Sequence, residues 1–264
     1  MQVLVFDIET IPDTDLGRRL YGLHDLSDSQ VAQIMFTRRL QETGSEFLSF
    51  EQHRVVAISV VLRRGDSLRV WSLGEEASSE KELIERFYDG LDRFTPDLVS
   101  WNGSGFDLPV LQYRSLLHGV SAPRYWETGD QDTSFRYNNY LNRYHWRHMD
   151  LMDILSGFQL RGRVRLDAAA TLLGFPGKIG MQGADVWDAH QQGRLREIRG
   201  YCETDVLNTY LIYLRFELVR GHLGPAGHQA EEQRLRDLLR ASSAPHLIEF
   251  EAAWRPRETR LPLP

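Results

Sequence analysis

Apolar positions recur along the chain at two spacings, and the alternation between them predicts an α/β protein. Val3 to Phe6 is a short run of β-favouring residues that leads straight into Asp7, Ile8, Glu9 and Thr10, the pattern of a buried strand ending in charge. Arg54 to Leu62 and Leu68 to Leu73 read as two more strands, and Arg63-Arg64-Gly65-Asp66 between them makes a β-hairpin. From Ser78 to Phe94 the period changes: Leu83, Ile84, Phe87, Leu91 and Phe94 stand at helical spacing behind the capping sequence Ser79-Glu80-Lys81-Glu82. Asp97 to Trp101 is a fourth strand. The turn formers Asn102-Gly103-Ser104-Gly105 follow it, and then a helix from about Asp107 to His118. A strand–loop–helix step of this kind puts its loop at the carboxyl end of the sheet, where open α/β sheets hold their sites.

The remaining pattern is more uneven. Polar residues dominate Asp13 to Phe50, which reads as an insertion covering one sheet edge, with a helix over Asp28 to Gln41 capped by Ser27 or Asp28. His148 to Ile154 returns the chain to the core as strand or helix, with Asp150 and Asp153 as caps or ion-pair partners. Leu166 to Leu173 is a short helix ended by Gly174, and Arg194 to Arg220 is the longest helical run. Past Gly221, Ala230 to Arg240 reads as an amphipathic helix, and Pro245, Pro256, Pro262 and Pro264 mark an irregular tail. This divides the chain into a main domain over about 1–220, with the insertion at about 13–50, and a C-terminal helix and tail over 221–264.

Composition narrows the function classes. A chain of 264 residues can bury a sizeable core, and no apolar stretch approaches the ~20 residues that span a bilayer, so no membrane association is expected. The N-terminal apolar run leads into Asp7 without a basic region before it, which does not read as an export signal. One cysteine, Cys202, permits neither an internal disulfide nor a cysteine metal cluster and agrees with a reducing compartment; a cytoplasmic protein is expected. A net charge of −6 argues against a basic face that coats duplex nucleic acid. It leaves room for an enzyme that grips one strand end through metal ions, because the metal-binding acids themselves lower the count.

Three separated segments offer candidate chemistry. Asp7 and Glu9 project from one face of the first strand with Ile8 turned to the other. Two anions so close repel, and burying them is unfavourable unless a cation lies between them. The same acid-x-acid spacing recurs at Asp13/Asp15, Glu80/Glu82, Asp130/Asp132, Glu203/Asp205 and Glu249/Glu251, but only the first pair follows an apolar strand run. The second segment is the loop-to-helix start with Asn102, Phe106 and Asp107; the third is Tyr201 and Asp205, one helical turn apart on a shared face. Ser134 to His148 interleaves Phe135, Tyr137, Tyr140, Tyr144 and Trp146 with arginines, a composition that serves either core packing or the stacking of bases. Lys178, in the loop Pro176 to Met181, is placed to meet a phosphate or solvent.

Taken in order, FDIET, WNGSGFDLPVL and YCETDVLNTYL resemble the three exonuclease motifs of the DEDD 3′-5′ exonuclease superfamily, and the tyrosine four residues before the last aspartate resembles its DEDDy subgroup. Within that group the chain looks most like stand-alone predicted exonucleases related to the proofreading domain of family B DNA polymerases, over Met1 to Arg220 with the tail outside. The resemblance implies an α/β, ribonuclease H-like fold: a mixed central β-sheet flanked by helices on both faces, with the acids converging at one edge. It implies two Mg²⁺ or Mn²⁺ ions, and oxygen-only ligands do select hard cations. Asp7 would bridge both ions, Glu9 and Asp205 would complete the site that activates water, Asp107 would hold the second ion, and Tyr201 would orient the water. Asn102 and Phe106 would contact the terminal nucleotide, with Thr10 and Ile11 lining its pocket. The implied reaction is release of nucleoside monophosphates from a nucleic acid with a free 3′ end, single-stranded DNA before RNA. Two other classes compete: a non-catalytic nucleic-acid-binding module, and a haloacid-dehalogenase-like phosphatase, which would want an aspartate where Glu9 stands and a downstream lysine with an acidic pair.

Overall fold

A computed structural model describes residues 2–254. Along the chain run β1 (Gln2–Pro12), α1 (Thr14–Tyr21), α2 (Asp28–Thr43), β2 (His53–Arg64), β3 (Ser67–Ser72), α3 (Glu80–Phe94), β4 (Asp97–Ser100), α4 (Asp107–His118), α5 (Pro123–Trp126), β5 (His148–Asp150) and α6 (Leu151–Leu155). The second half is helical: α7 (Leu166–Leu173), α8 (Val186–Gln191), α9 (Leu195–Val219), α10 (Pro225–Arg240) and α11 (Pro245–Ala253). The strands form one sheet in the order β3-β2-β1-β4-β5. β2 is antiparallel to both β1 and β3, whereas β4 runs parallel to β1 and β5 parallel to β4.

The period-two pattern of β1 divides the core. Leu4, Phe6 and Ile8 pack on one face with Leu83, Ile84 and Phe87 of α3 and Leu108 and Leu111 of α4. Val3 and Val5 pack on the other with Val206, Leu207 and Tyr210 of α9, and with α7, α10 and α11. Helices therefore cover both faces of a mixed sheet, the ribonuclease H-like arrangement.

β1 does not end in charge as its sequence suggests. Its parallel pairing with β4 stops at Val5–Val99, but its antiparallel pairing with β2 continues to Pro12–His53, so Asp7 and Glu9 lie within the strand. Beyond Val5 one side of β1 has no strand beside it, and that gap is where α4 begins. The register slips at Glu9/Thr10, where Val56 of β2 is the extra residue; such bulges re-aim side chains beside sites.

The segment between β1 and β2 is more ordered than its polarity suggests. Ser27 caps α2 in a capping box with Gln30, and Val31, Met35 and Leu48 form a small core of their own. α1, only eight residues long, packs so closely on α2 that a Cβ at Gly17 would lie 2.5 Å from Met35 Sδ. The edge strands of the sheet are β3 and β5; this segment walls a cleft described below.

The C-terminal region also departs from expectation. α10 starts at Pro225 rather than Ala230, and Pro245, read as a mark of irregular chain, is the first residue of α11. Proline suits that position, since its missing N–H would have no helical partner there. Leu235, Leu239, Leu247, Phe250 and Trp254 join the α9 core. Arg63 of β2 donates from Nε and Nη2 to the two carboxylate oxygens of Glu231 in α10, each at 2.7 Å. Pro256, Pro262 and Pro264 lie outside the described residues. No described helix is long and apolar enough to cross a membrane.

Candidate active site

The alternation of β1 turns Asp7 and Glu9 toward α9, whose length is buried against the sheet and brings Tyr201, Cys202 and Asp205 to the same place. Asp107 enters from the gap beside β1. As the first residue of α4 it accepts the Ile8 N–H at 3.1 Å, standing in for the missing strand partner. Three separated segments thus supply four carboxylates to one cluster; Glu9 is 8%, Asp107 3% and Asp205 7% exposed, and Asp7 is half-buried among them.

Their electrostatics record the crowding. Burial holds Asp7 well above the ordinary carboxylate range, and the charges of Asp107, Glu9 and Asp205 add to it. Burial raises Glu9 in the same way, with Asp205 adding and the Lys178 ammonium opposing. Asp107 is pushed up to about 7, chiefly by burial, although the Ile8 N–H pulls it down. Asp205 is pushed up to about 6 by burial, again against Lys178. Asp205 Oδ1 is buried and has no hydrogen-bond partner among the described residues. An orphaned carboxylate oxygen in a cluster of acids fits a hard divalent cation, which would take oxygen donors and relieve the repulsion.

Cys202 is the neighbour that sequence reasoning missed. Its thiol lies 3.4 Å from the Asp7 carbonyl oxygen and 3.7 Å from Asp7 Oδ2, and ligand atoms of Asp7, Glu9 and Cys202 all fall within 4.8 Å of one another. Burial and the Asp7 and Glu9 charges push the thiol up, so it remains protonated and acts as a donor to Asp7. The helical register held the signal: Cys202 precedes Asp205 by three positions and so shares its face.

Lys178 is not left to solvent. Its loop is clamped by Asn208, which accepts from the Gly177 N–H and donates to the Gly177 carbonyl, and by Asp167, which accepts the Lys178 N–H. Lys178 Nζ then donates to the Tyr201 hydroxyl at 2.7 Å. Burial and the nearby acids hold that phenol above its ordinary value.

A cleft of about 830 Å³ opens beside the acids, lined by Glu9, Thr10, Ile11, Phe106 and Lys178 among others. Asn102 is not among them. With φ at 68° it makes the turn after β4; its N–H donates to Asp150 Oδ1 at 2.9 Å, and its side-chain oxygen faces Arg163. Asp150 also accepts from Ser104 N–H and caps α6 through Asp153 N–H, and Asp153 pairs with Arg143 and Arg163. Both acids are the cap and ion-pair partner that their sequence suggested. Asp150→Ala strips three backbone donors of their acceptor, and urea denaturation should show a loss of about 1–3 kcal/mol. In the aromatic segment Phe135 and Tyr140 are core residues. Tyr137, Tyr144 and Trp146 are exposed and lie outside the cleft.

No curated protein matches the chain. A family model does, described as a predicted 3′-5′ exonuclease related to the exonuclease domain of PolB, over residues 45–254. The matched stretch contains Asp107, Tyr201 and Asp205 and runs on through α10 and α11 past Arg220, while Asp7 and Glu9 precede it. A match over so much of the chain decides its kinship: the protein belongs to the predicted 3′-5′ exonucleases related to the exonuclease domain of PolB.

Proposed function

We propose that the protein is a metal-dependent 3′-5′ exonuclease that hydrolyses the terminal phosphodiester bond of single-stranded DNA and releases nucleoside monophosphates. Asp7, Glu9, Asp107 and Asp205 are the ligands of two Mg²⁺ or Mn²⁺ ions in this reading. The observation that carries it is the convergence of these four acids in one crowded cluster, with Asp205 Oδ1 lacking a partner among the described residues. Ions bound there supply the positive charge that activates an attacking water and stabilises the leaving 3′ oxygen.

The chain's other groups have narrower tasks. A phenol held above its ordinary pKa is a hydrogen-bond donor and a poor base. Tyr201 accepts from Lys178 and directs its own proton toward the Asp205 carboxylate, which places a donor beside the acids to orient the nucleophile. Lys178 carries a cation at the cleft wall where a phosphate oxygen would pass. Ile11 and Phe106 give the cleft apolar surface for the terminal nucleotide.

The test uses 5′-labelled DNA and RNA strands of matched sequence with Mg²⁺ or Mn²⁺, and an EDTA control. A ladder shortening from the 3′ end, abolished by chelator, is the expected result, with DNA cut faster. Faster cutting of RNA reassigns the substrate. Binding without shortening makes the protein a nucleic-acid-binding module. Tyr201→Phe should lower kcat tenfold to a hundredfold, roughly the size of one hydrogen bond to a charged group, while the shift of melting temperature on adding Mn²⁺ stays unchanged.

A further inference from the structure

The acids account for one end of the cleft and leave its long wall unexplained. That wall comes from the segment between β1 and β2, through Gln33 and Phe36 of α2 and through Phe47; Trp187 of α8 stands among the remaining lining residues. Phe47 is 56% exposed and does not belong to the segment's own apolar core. Its ring is nevertheless held. It lies 5.2 Å from Phe106 and 5.4 Å from His53, and those two rings meet edge-on at 5.0 Å. Its backbone N–H donates to Ser45 Oγ, and its carbonyl accepts from Arg39 Nε at 3.0 Å.

His53 is the brace. Its Nε2 donates to the Leu48 carbonyl and its Nδ1 shares a 2.8 Å hydrogen bond with Thr10 Oγ1, one residue beyond Glu9. Burial lowers its pKa to about 4, so the ring is neutral near pH 7 and can pack against two phenyl groups. The arrangement ties an exposed aromatic face to the strand that carries Asp7 and Glu9, at a distance set by packing.

We propose that Phe47, braced by His53 and Phe106, is the surface on which a base at the 3′ end of a single strand stacks. This rests on the exonuclease reading and adds a determinant outside its acid motifs. Base–aromatic stacking tolerates any sequence because every base has a π-face.

The test reads binding and turnover separately in the full chain. A single strand with 2-aminopurine at its 3′ terminus is titrated with protein carrying Asp7→Asn to stop turnover, with and without Phe47→Ala or Phe47→Trp. Phe47→Ala should weaken fluorescence quenching and binding about tenfold, and Phe47→Trp should keep both. In otherwise unsubstituted protein, Phe47→Ala should raise KM for single strands about tenfold with kcat nearly unchanged. Equal binding and equal KM in the alanine variant overturn the proposal. Absence of hydrolysis in the unsubstituted protein, with 2-aminopurine still quenched through Phe47, overturns the enzyme reading and leaves the stacking surface standing.

Discussion

Asp7→Asn is expected to reduce 3′-end hydrolysis about a thousandfold and, in the same protein freed of metal, to raise stability at neutral pH. Asp7 is where the repulsion converges: after burial, the charges of Asp107, Glu9 and Asp205 all act on it. An amide of the same shape removes that repulsion but withdraws one anionic ligand from the cluster. Loss of a preorganised electrostatic group commonly lowers turnover by two to three powers of ten. The opposite signs make the test discriminating. Turnover of a labelled strand and thermal unfolding in EDTA should move against each other, and activity within tenfold of the unsubstituted protein would remove Asp7 from the mechanism.

The second large effect is a dependence of metal-free stability on pH. Asp107 is pushed up to about 7 and Asp205 to about 6, against an ordinary 3.8. In the window between those values the folded chain keeps protons that the unfolded chain has released, so stability falls as pH rises from about 4 to 7. For Asp107 the shift corresponds to roughly 4 kcal/mol. Two buried histidines act in the other direction: His53 and His148 are both lowered to about 4, and their contribution is lost as pH falls below about 6.5. The difference between Asp107→Asn and the unsubstituted protein cancels them. Measured by urea denaturation in EDTA, that difference should be near zero at pH 4 and grow to its full size above pH 7, while saturating Mn²⁺ should reduce it. A flat difference would mean that Asp107 is not held in the buried, crowded state described here.

The strands and long helices were legible because their apolar periods are strong. Alternation put Asp7 and Glu9 on one face, and the i, i+4 spacing put Tyr201 beside Asp205. What escaped depended on contacts remote in sequence. β1 extends to Pro12 only because β2 pairs with it that far, and α1 is helical because α2 covers it, with Gly17 allowing the approach. Pro245 is ambiguous by itself, since the residue that breaks a helix inside also begins one. Asn102 adopts a left-handed turn whose N–H donates to Asp150, 48 residues later, a constraint that its motif position did not reveal. Phe47 and His53 carried no signal at all; their rings meet Phe106 only because the loop before β2, the start of β2 and the cap of α4 fold together.

The Arg63–Glu231 pair sets an order of events as the chain is made. Arg63 sits in the hairpin of the first third of the protein, and its carboxylate partner follows 168 residues later. Until α10 has emerged, the hairpin holds a guanidinium without its anion, and the α9 face of the sheet lacks Leu235 and Leu239. Contacts of such separation form late and slowly. Closure of the α9 face of the sheet therefore depends on the last helices to be made.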